Sequence, residues 1–513
     1  MGIRSAGAYL PRSCLARKAI AEAWGRNDGN VGTRSVALYD EDALTMAVEA
    51  AAEALRGIEA RAVGAVYFAS SSGPFGEKQA SDLLASALDL RSEVLTTDIG
   101  GSTRAFTVAL RAACDAVRAG SCRNALVVAT DMRTATPGSG LEPLLGDGAA
   151  AVVVGTEDLL AGIEQTVAIS EEFTPVWRLA GDRFLRDDDD KVAAEAYVKL
   201  LLQAAKRVLE AGAREPADLA RIVAYAPDPG SYRRLLKASG MAERFHPHTL
   251  WDTVGNAGAA NVALQLQGAL EEASAGERLL VLGWGGSADG LLLRATGKKP
   301  AARTLAAWQE NRVAISYQDY LRYRDLHVTP SGLWSLDPSS SLTAQRREAR
   351  QMLRLNGLRC EACQAVLYPA RPACRSCGAA GPFKAVRLGR RGSIVTWNRD
   401  HVFPGPGSPV VNAVVDLDGG GRILTQLAEG DPAAGMAVEL TLRKLHEGRG
   451  LPHYWWKARD LRGVSGAGDG GGDGKLARDA RLDREAKLDR EARLDRDANL
   501  AATPVDRAPE AAR

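Results

Sequence analysis

Residues 98–110 (DIGGSTRAFTVAL) and 252–264 (DTVGNAGAANVAL) repeat one another at an offset of 154, matching Asp98/Asp252, Gly101/Gly255, Ala105/Ala259, Val108/Val262, Ala109/Ala263 and Leu110/Leu264. The same offset lays Leu126, Val127 and Val128 on Leu280, Val281 and Leu282, and Ala50, Ala51 and Leu55 on Ala204, Ala205 and Leu209. Three segments sharing one offset in one order are hard to obtain by chance, even in an Ala-rich chain. The first part of the chain is therefore read as two copies of one unit. Up to about residue 296, short apolar runs (AVYFAS, ALVVAT, AAAVVVG, LLVLGWGG) alternate with amphipathic stretches such as DALTMAVEAAAEAL and AYVKLLLQAAKRVLEAG. That alternation predicts an α/β fold with largely buried strands. Each copy offers a strand, a Gly-containing turn and a helix whose N-terminus faces whatever lies between the copies. A site is expected at the pseudo-twofold interface, near Ser102, Thr103 and Asn256.

Charge and composition narrow the possible partners. Sixty-five Lys and Arg against sixty-three Asp and Glu leave a formal charge of +2, too little to attract a nucleic-acid backbone or an anionic membrane. The 46% apolar and 25% charged content excludes collagen-like, coiled-coil and wholly disordered classes. MGIRSAGAYLPR lacks a long apolar run and no stretch approaches eighteen apolar residues, so neither export nor a membrane span is expected. Four of the seven cysteines form Cys360-x2-Cys363-x10-Cys374-x2-Cys377. Two such knuckles supply four thiolates for a tetrahedral, structural Zn²⁺ with no open position for catalysis, iron or an empty site being the minor alternatives. This usage, and not a disulfide framework, places the chain in a reducing cytoplasm.

The remaining composition divides the chain further. Residues 1–165 and 166–296 hold the two copies, and 297–357 are a connector with helices around 317–326 and 342–355, separated by 330–340. The cysteine pairs occupy 358–384, and short β-type runs (SIVTWN, VVNAVVDL, AVELTLR) fill 385–462 as a small all-β domain. Residues 463–513 begin with a Gly-rich linker and continue as hexads (RLDREA, KLDREA, RLDRDA). Six residues advance a helix by about 600°, so the leucines build no single stripe, and a solvated charged tail is expected.

On GAYLPR, the DIGGSTRAFTVAL turn and helix, ALVVATDMR, LLGDGAAAVVVG, VGNAGAANVAL and LGWGGSADGLLL, residues 1–296 resemble the thiolase superfamily, in the branch of 3-hydroxy-3-methylglutaryl-CoA synthase and ketoacyl-ACP synthase III. The resemblance implies a duplicated five-layer α/β fold (βαβαβαββ twice), a homodimer and a coenzyme A thioester as substrate. It places Thr103 at the family's nucleophilic Cys, with Ser102 beside it, Asn256 at the family's Asn, and Asp228 or a neighbour at its His. The family's acid falls near Ser71, where no carboxylate stands. A Thr hydroxyl is a poor nucleophile without an adjacent base, and an Asp of ordinary pKa is a weak base at neutral pH. Condensation through an acyl-enzyme is therefore not expected. Instead, Asn256 and the turn Gly283, Gly285, Gly286 and Ser287 would hold the thioester and stabilise an enolate or oxyanion. Cys114 reads as a packed core thiol; His246 and His248 could supply an imidazole from a nonstandard direction, but a surface or supporting position is the preferred reading.

Residues 342–460 resemble the zinc-ribbon/OB-fold proteins that accompany thiolase-family enzymes, with a rubredoxin-like ribbon preceding an OB barrel. Trp397, Tyr454, Trp455 and Trp456 leave single-strand stacking open, but core packing or an interface is the preferred use. Together the resemblances imply a protein that binds acyl-CoA and forms or cleaves a carbon–carbon bond next to the thioester, in a complex with a second, cysteine-bearing thiolase subunit. The alternative is a non-catalytic CoA-binding or scaffold subunit supporting such a partner.

Overall fold

The computed structural model of the chain describes residues 1–26, 31–188, 190–247, 250–327, 341–402, 407–448 and 450–461. The segment 330–340, His248 and the tail from 463 onward, each singled out above, lie outside the described residues.

The first copy runs β1 (Gly2–Tyr9), α1 (Ala43–Ala54), β2 (Val63–Ala69), α2 (Ala80–Ala87), β3 (Leu95–Ile99), α3 (Ala105–Arg118), β4 (Asn124–Asp131) and β5 (Gly148–Gly155). That is the full βαβαβαββ unit. Helix α1 starts where it does because Asp42 accepts the Thr45 N–H at 2.9 Å while Thr45 Oγ1 accepts the Asp42 N–H at 2.8 Å, a reciprocal cap for two orphan donors. Every residue of β2, β4 and β5 is buried, as expected for strands covered on both faces.

The second copy follows as β6 (Ala161–Ile169), α4 (Asp190–Ala211), β7 (Leu219–Ala224), α5 (Pro229–Ser239), α6 (Ala260–Glu272), β8 (Arg278–Gly285) and β9 (Ser287–Ala295). Shifting β4 by the offset seen in the sequence lands on β8, and α3 lands on α6 within a residue. Among the described residues no strand corresponds to β3. The strands order as β7-β8-β9-β6-β1-β5-β4-β2-β3, and β1 of the first copy pairs with β6 of the second through Gly2↔Gly162 and Ile3↔Ala161. Helices α3 and α6 pack between the two halves of this sheet, α1 and α2 cover one outer face, and α4 covers the other with α5 packed against it. The result is the expected five-layer arrangement, with the N-termini of both central helices at the pseudo-twofold interface.

Residues 297–357 are tied into the first copy. Val313–Ile315 pairs in parallel with Ser13–Ala16, and Tyr317 and Tyr320 pack with Leu15, Ile20 and Val36. Helix α7 (Leu342–Met352) then leads to the ribbon strands β10 (Asn356–Cys360), β11 (Val366–Leu367) and β12 (Phe383–Arg387). A closed barrel follows, β13 (Arg391–Asp400), β14 (Val410–Leu417), β15 (Arg422–Glu429), β16 (Ala437–Gly448) and β17 (Leu451–Asp460), in the order β13-β14-β15-β17-β16. Trp456 is fully buried in it and donates to the Leu353 carbonyl at 3.0 Å, Tyr454 donates to Asp42 at 2.8 Å, and Trp455 packs on the core. Trp397 is half-exposed on β13. Three of the four aromatics are thus used for core and domain packing.

The barrel meets the first copy through buried charge, which local sequence patterns did not announce. Arg443 is wholly inaccessible and pairs with Glu41 at 2.9 Å and Glu429 at 2.6 Å. Lys457 reaches Asp40 at 2.9 Å, and Arg459 bridges Glu49 at 2.7 Å and Glu439 at 2.8 Å. Burial opposes ionisation of Glu49, but Arg390 and Arg459 outweigh it and hold its pKa below the ordinary carboxylate value. No helix among the described residues is long and apolar enough to cross a membrane.

Candidate active site

Between β3 and α3 the chain turns through Gly101, whose φ of +79° is open to glycine without strain. It then presents Ser102 and Thr103 at the foot of α3. Both hydroxyls are committed to the end of β8. Thr103 Oγ1 donates to the Trp284 carbonyl at 2.7 Å, and Ser102 Oγ donates to the Gly285 carbonyl at 3.0 Å. A backbone carbonyl is no general base, so this contact does not activate the Thr103 hydroxyl as a nucleophile. It fastens the helix foot to the strand. Deeper in α3, Thr107 donates to Asp289 at 2.6 Å and Arg104 pairs with the same carboxylate at 3.3 Å; burial pushes the Asp289 pKa up against both.

This closeness explains the glycines of the β8–β9 hairpin. A methyl at Gly285 would lie 2.1 Å from Ser102 Oγ and 2.8 Å from Thr103 Oγ1, and one at Gly283 would lie 2.6 Å from Thr107 Oγ1. Gly286 takes φ +86° beside the Phe173 carbonyl, and Ser287 exchanges hydrogen bonds with Glu171. Of the four residues assigned to an oxyanion turn, only Gly285 lines the cleft described next.

A cleft of about 520 Å³ opens at the interface of the two copies. Its walls bring together Ser102, Thr103, Asp228 and Asn256, together with Ser71. Asp228 caps α5: its Oδ1 accepts the Ser231 N–H at 2.8 Å, with Pro229 in the first helical position and Gly240 closing the helix at φ +64°. It stands in the wall with one oxygen engaged in the cap. His246 is buried against α6, beside Gly268 and 3.8 Å from Glu272, and is not part of the cleft wall. Cys114 is a buried core thiol, pushed up to about 11 by burial.

Asn256 is the most constrained group in the wall. Its Oδ1 accepts from Arg133 Nη2 at 2.7 Å, from the Tyr225 hydroxyl at 3.0 Å and from the Gly258 N–H at 3.0 Å, while Nδ2 donates to the Pro227 carbonyl at 3.1 Å. Three donors on one oxygen fix which end of the amide is which. Among the described residues the second Nδ2 proton has no acceptor. Nearby, Asp131 accepts from Ser70, Ser71 and Ser72 hydroxyls and from the Ser71 and Ala259 N–H groups, which shapes the loop that carries Ser71. Arg133, Tyr225 and Asp131 were not singled out from sequence. Their only signal was position at strand ends, in ATDMR and AYAPD. The cleft mouth adds Arg178, Lys191 and Arg234, the last two carried on α4 and α5.

The ribbon cysteines fit a metal. The sulfurs of Cys360, Cys363, Cys374 and Cys377 all lie within 4.8 Å of one another, with Cys360–Cys377 at 3.8 Å and Cys363–Cys374 at 3.5 Å. A tetrahedral Zn²⁺ with bonds of about 2.3 Å separates its sulfurs by about 3.8 Å. Four soft ligands suit structural zinc.

Two related halves with a cleft between the feet of their central helices define a thiolase-like, acyl-CoA condensing fold, here followed by a zinc ribbon and an OB barrel. Residues 97–171 match the family described as 3-oxoacyl-[acyl-carrier-protein (ACP)] synthase III, residues 347–382 the ChsH2 rubredoxin-like zinc ribbon domain, and residues 385–443 the ChsH2 C-terminal OB-fold domain. The chain is 32% identical over 341 residues to hydroxymethylglutaryl-CoA synthase of Caldivirga maquilingensis, covering 64% of this chain and 98% of that protein. It is 28% identical over 339 residues to hydroxymethylglutaryl-CoA synthase of Methanopyrus kandleri, covering 63% and 97%. It belongs to the hydroxymethylglutaryl-CoA synthase family. The fold is shared with MvaS in complex with 3-hydroxy-3-methylglutaryl coenzyme A, at a TM-score of 0.58 and 21% identity over 66% of this chain and 94% of that one. It is also shared with 3-oxoacyl-(acyl carrier protein) synthase III from Pseudomonas aeruginosa PAO1, at 0.54 and 24% over 58% and 99%.

Proposed function

We propose that the cleft binds an acyl-CoA and forms or cleaves a carbon–carbon bond next to the thioester, with no acyl group carried on residue 103. The observation that carries this reading is the division of labour in the wall. Thr103 and Ser102 hold the helix foot to β8, whereas Asn256 has its amide oriented by three donors and one proton to spare. Such a preorganised donor stabilises the oxygen of a thioester enolate or oxyanion. Asp228, with one oxygen in its helix cap, is a carboxylate of this wall placed to handle protons, and the cations at the mouth suit coenzyme A phosphates. An HMG-CoA synthase of the same fold has been solved complexed with CoA, which supports the ligand class.

The test is conversion of a panel of 3-hydroxyacyl- and 3-ketoacyl-CoA thioesters followed by mass spectrometry. Asn256→Ala should lose about 100-fold or more in kcat, the scale of one oxyanion donor. Thr103→Ala and alkylation of accessible thiols should retain turnover, since Cys14, Cys114 and Cys122 are buried and none lines the cleft. Turnover lost equally in Thr103→Ala, or on stoichiometric labelling of one cysteine, refutes the reading. The missing nucleophile equally favours a second reading, a non-catalytic subunit supporting a cysteine-bearing thiolase partner. That role would show as activity only with the partner, indifferent to Asn256→Ala.

We also propose that the protein is a cytoplasmic homodimer joined along β3, one of the two edge strands of the sheet, where Leu95 is 54% exposed. Unpaired strand edges are ready templates for another chain. Light scattering should return a dimer for the parent and a monomer for Thr97→Pro; a parent that runs as a monomer refutes it.

A further inference from the structure

The connector that follows the second copy reaches back behind the cleft at three points. Arg312 donates to the Thr253 carbonyl. Tyr317 donates its hydroxyl proton to Glu142, with Oε1 at 3.0 Å and Oε2 at 3.2 Å, and accepts the Trp24 indole N–H at 2.9 Å. Arg324 pairs with Asp147, whose Oδ2 also accepts the Ala37 N–H at 2.7 Å. Glu142 and Asp147 are wholly inaccessible, and Tyr317 and Arg324 are buried. Both acids belong to one loop, 138–147, whose Gly140, Leu141, Leu144 and Leu145 line the cleft. Buried arginines hold its rear as well: Arg34 donates to the Glu142 carbonyl at 2.6 Å and Arg17 to the Pro143 carbonyl at 2.9 Å.

This loop and the turn that carries Asn256 are joined backbone to backbone. The Asn256 N–H donates to the Leu144 carbonyl at 2.9 Å, and the Gly146 N–H donates to the Asn256 carbonyl at 3.0 Å. A methyl at Gly146 would lie 1.9 Å from the Val254 carbonyl oxygen, so the two segments touch with no side chain between them. Burial pushes the Glu142 carboxyl up, against the Gly138 N–H and the Tyr317 hydroxyl that it accepts. Removing that hydroxyl leaves a buried acceptor short of a donor, which is costlier than the bond itself is stabilising. The loop can recover a donor only by moving.

We propose that the connector completes the active site, with Tyr317 as a positioning residue: it fixes Glu142, and the loop of Glu142 fixes the backbone of Asn256. Tyr317 is not part of the cleft wall and acts at one remove. This rests on the reading that the Asn256 amide serves the thioester oxygen, and it names what holds that amide. The two halves alone then make an unfinished site, which the segment 312–324 finishes.

The experiment compares the full, zinc-loaded parent with Tyr317→Phe by hydrogen exchange and by turnover of the thioester panel. Peptides covering 138–146 and 250–258 should exchange about tenfold faster in the variant, as local opening does, with the sheet strands unchanged. Its kcat should fall about tenfold, the scale of one buried group left unmatched, with KM within about twofold. In the Asn256→Ala background Tyr317→Phe should cost nothing further, because both act through one amide. Tyr320→Phe is the control on the same helix: its hydroxyl is buried with no partner among the described residues, and its removal should change neither readout. Unchanged exchange at 250–258 overturns the proposal, as does faster exchange spread evenly over the sheet. So does a kcat that stays at the parent value, or a loss that multiplies with that of Asn256→Ala, which marks a merely structural role. A parent that turns over no thioester refutes the functional reading instead, and exchange then decides the proposal alone. Should Tyr317→Phe not fold, Glu142→Gln decides by the same exchange: faster at 250–258 supports the proposal, unchanged overturns it.

Discussion

Stripping the metal from the four-cysteine cluster is expected to unfold the ribbon, residues 356–387, while the two thiolase-like halves stay folded. The apolar core there is three buried residues, Cys360, Leu367 and Cys374, with Leu358, Ala365, Ala379 and Phe383 packed on them, and two of the three are ligands. Burial on that scale cannot hold some thirty residues against chain entropy. Structural zinc in small domains contributes about 10–16 kcal/mol of apparent binding free energy at neutral pH, and that binding energy is folding energy. Elemental analysis should return one zinc per chain. Chelation, or Cys360→Ser, should expose the ribbon to protease, and zinc should restore protection to the chelated parent. A stripped parent whose ribbon resists protease as well as the loaded one excludes a structural metal. Because Arg354 pairs with Asp89 at 3.0 Å and Arg387 donates to the Ala87 carbonyl at 2.9 Å, the base of the ribbon should loosen last.

Replacing Arg443 is expected to be the most damaging single change outside the zinc cluster. Its side chain is wholly buried between Glu41 and Glu429, so Arg443→Met leaves carboxylates without their cation in a site without water. Breaking a buried ion network by removing one partner costs about 3–5 kcal/mol, chiefly from the charges left behind. Chemical denaturation should register that loss, and adding Glu41→Gln should recover part of it. Arg422→Met is the control: the Arg422–Asp416 pair is exposed, and such pairs contribute about 0–1 kcal/mol. Equal effects of the two substitutions would refute the account. The network also carries a pH signature. Burial opposes ionisation of Glu439, but Arg459 and Arg390 outweigh it and lower its pKa to about 2. A carboxylate depressed in the folded state contributes stability that is fully present above its unfolded pKa. It is lost as pH falls from about 4.5 through about 2. Glu41, pushed up chiefly by burial, works in the opposite sense, so double substitution should flatten its part of the profile.

The candidate site was legible in outline. Thr103 and Asn256 were found because the duplication put both at the foot of a central helix, and they do share one wall. What the hydroxyl of Thr103 does was not legible, because its partner, the Trp284 carbonyl, is 181 residues away. Asp228 was read against a family position; the structure adds that it caps α5, an equally local role that a Pro following an Asp could have suggested. Arg133 and Tyr225 converge on Asn256 only because two separate strand ends fold against the turn before α6.

Sequence alone determined the features that repeat or space locally. The offset of 154 residues dictated two equivalent halves, since equal strings of buried strand and amphipathic helix have equal packing solutions. The cysteine spacing dictated a closed tetrahedral ligand shell. Tertiary structure decided which charges are neutralised and which remain available. Asp40 and Lys457 meet across 417 residues, whereas Arg133 in the cleft wall spends its hydrogen bonds on Asn256. Local pattern carries periodicity and ligand count. Electrostatic partnership depends on distance through space and on exclusion of water, which arise only once the chain has folded.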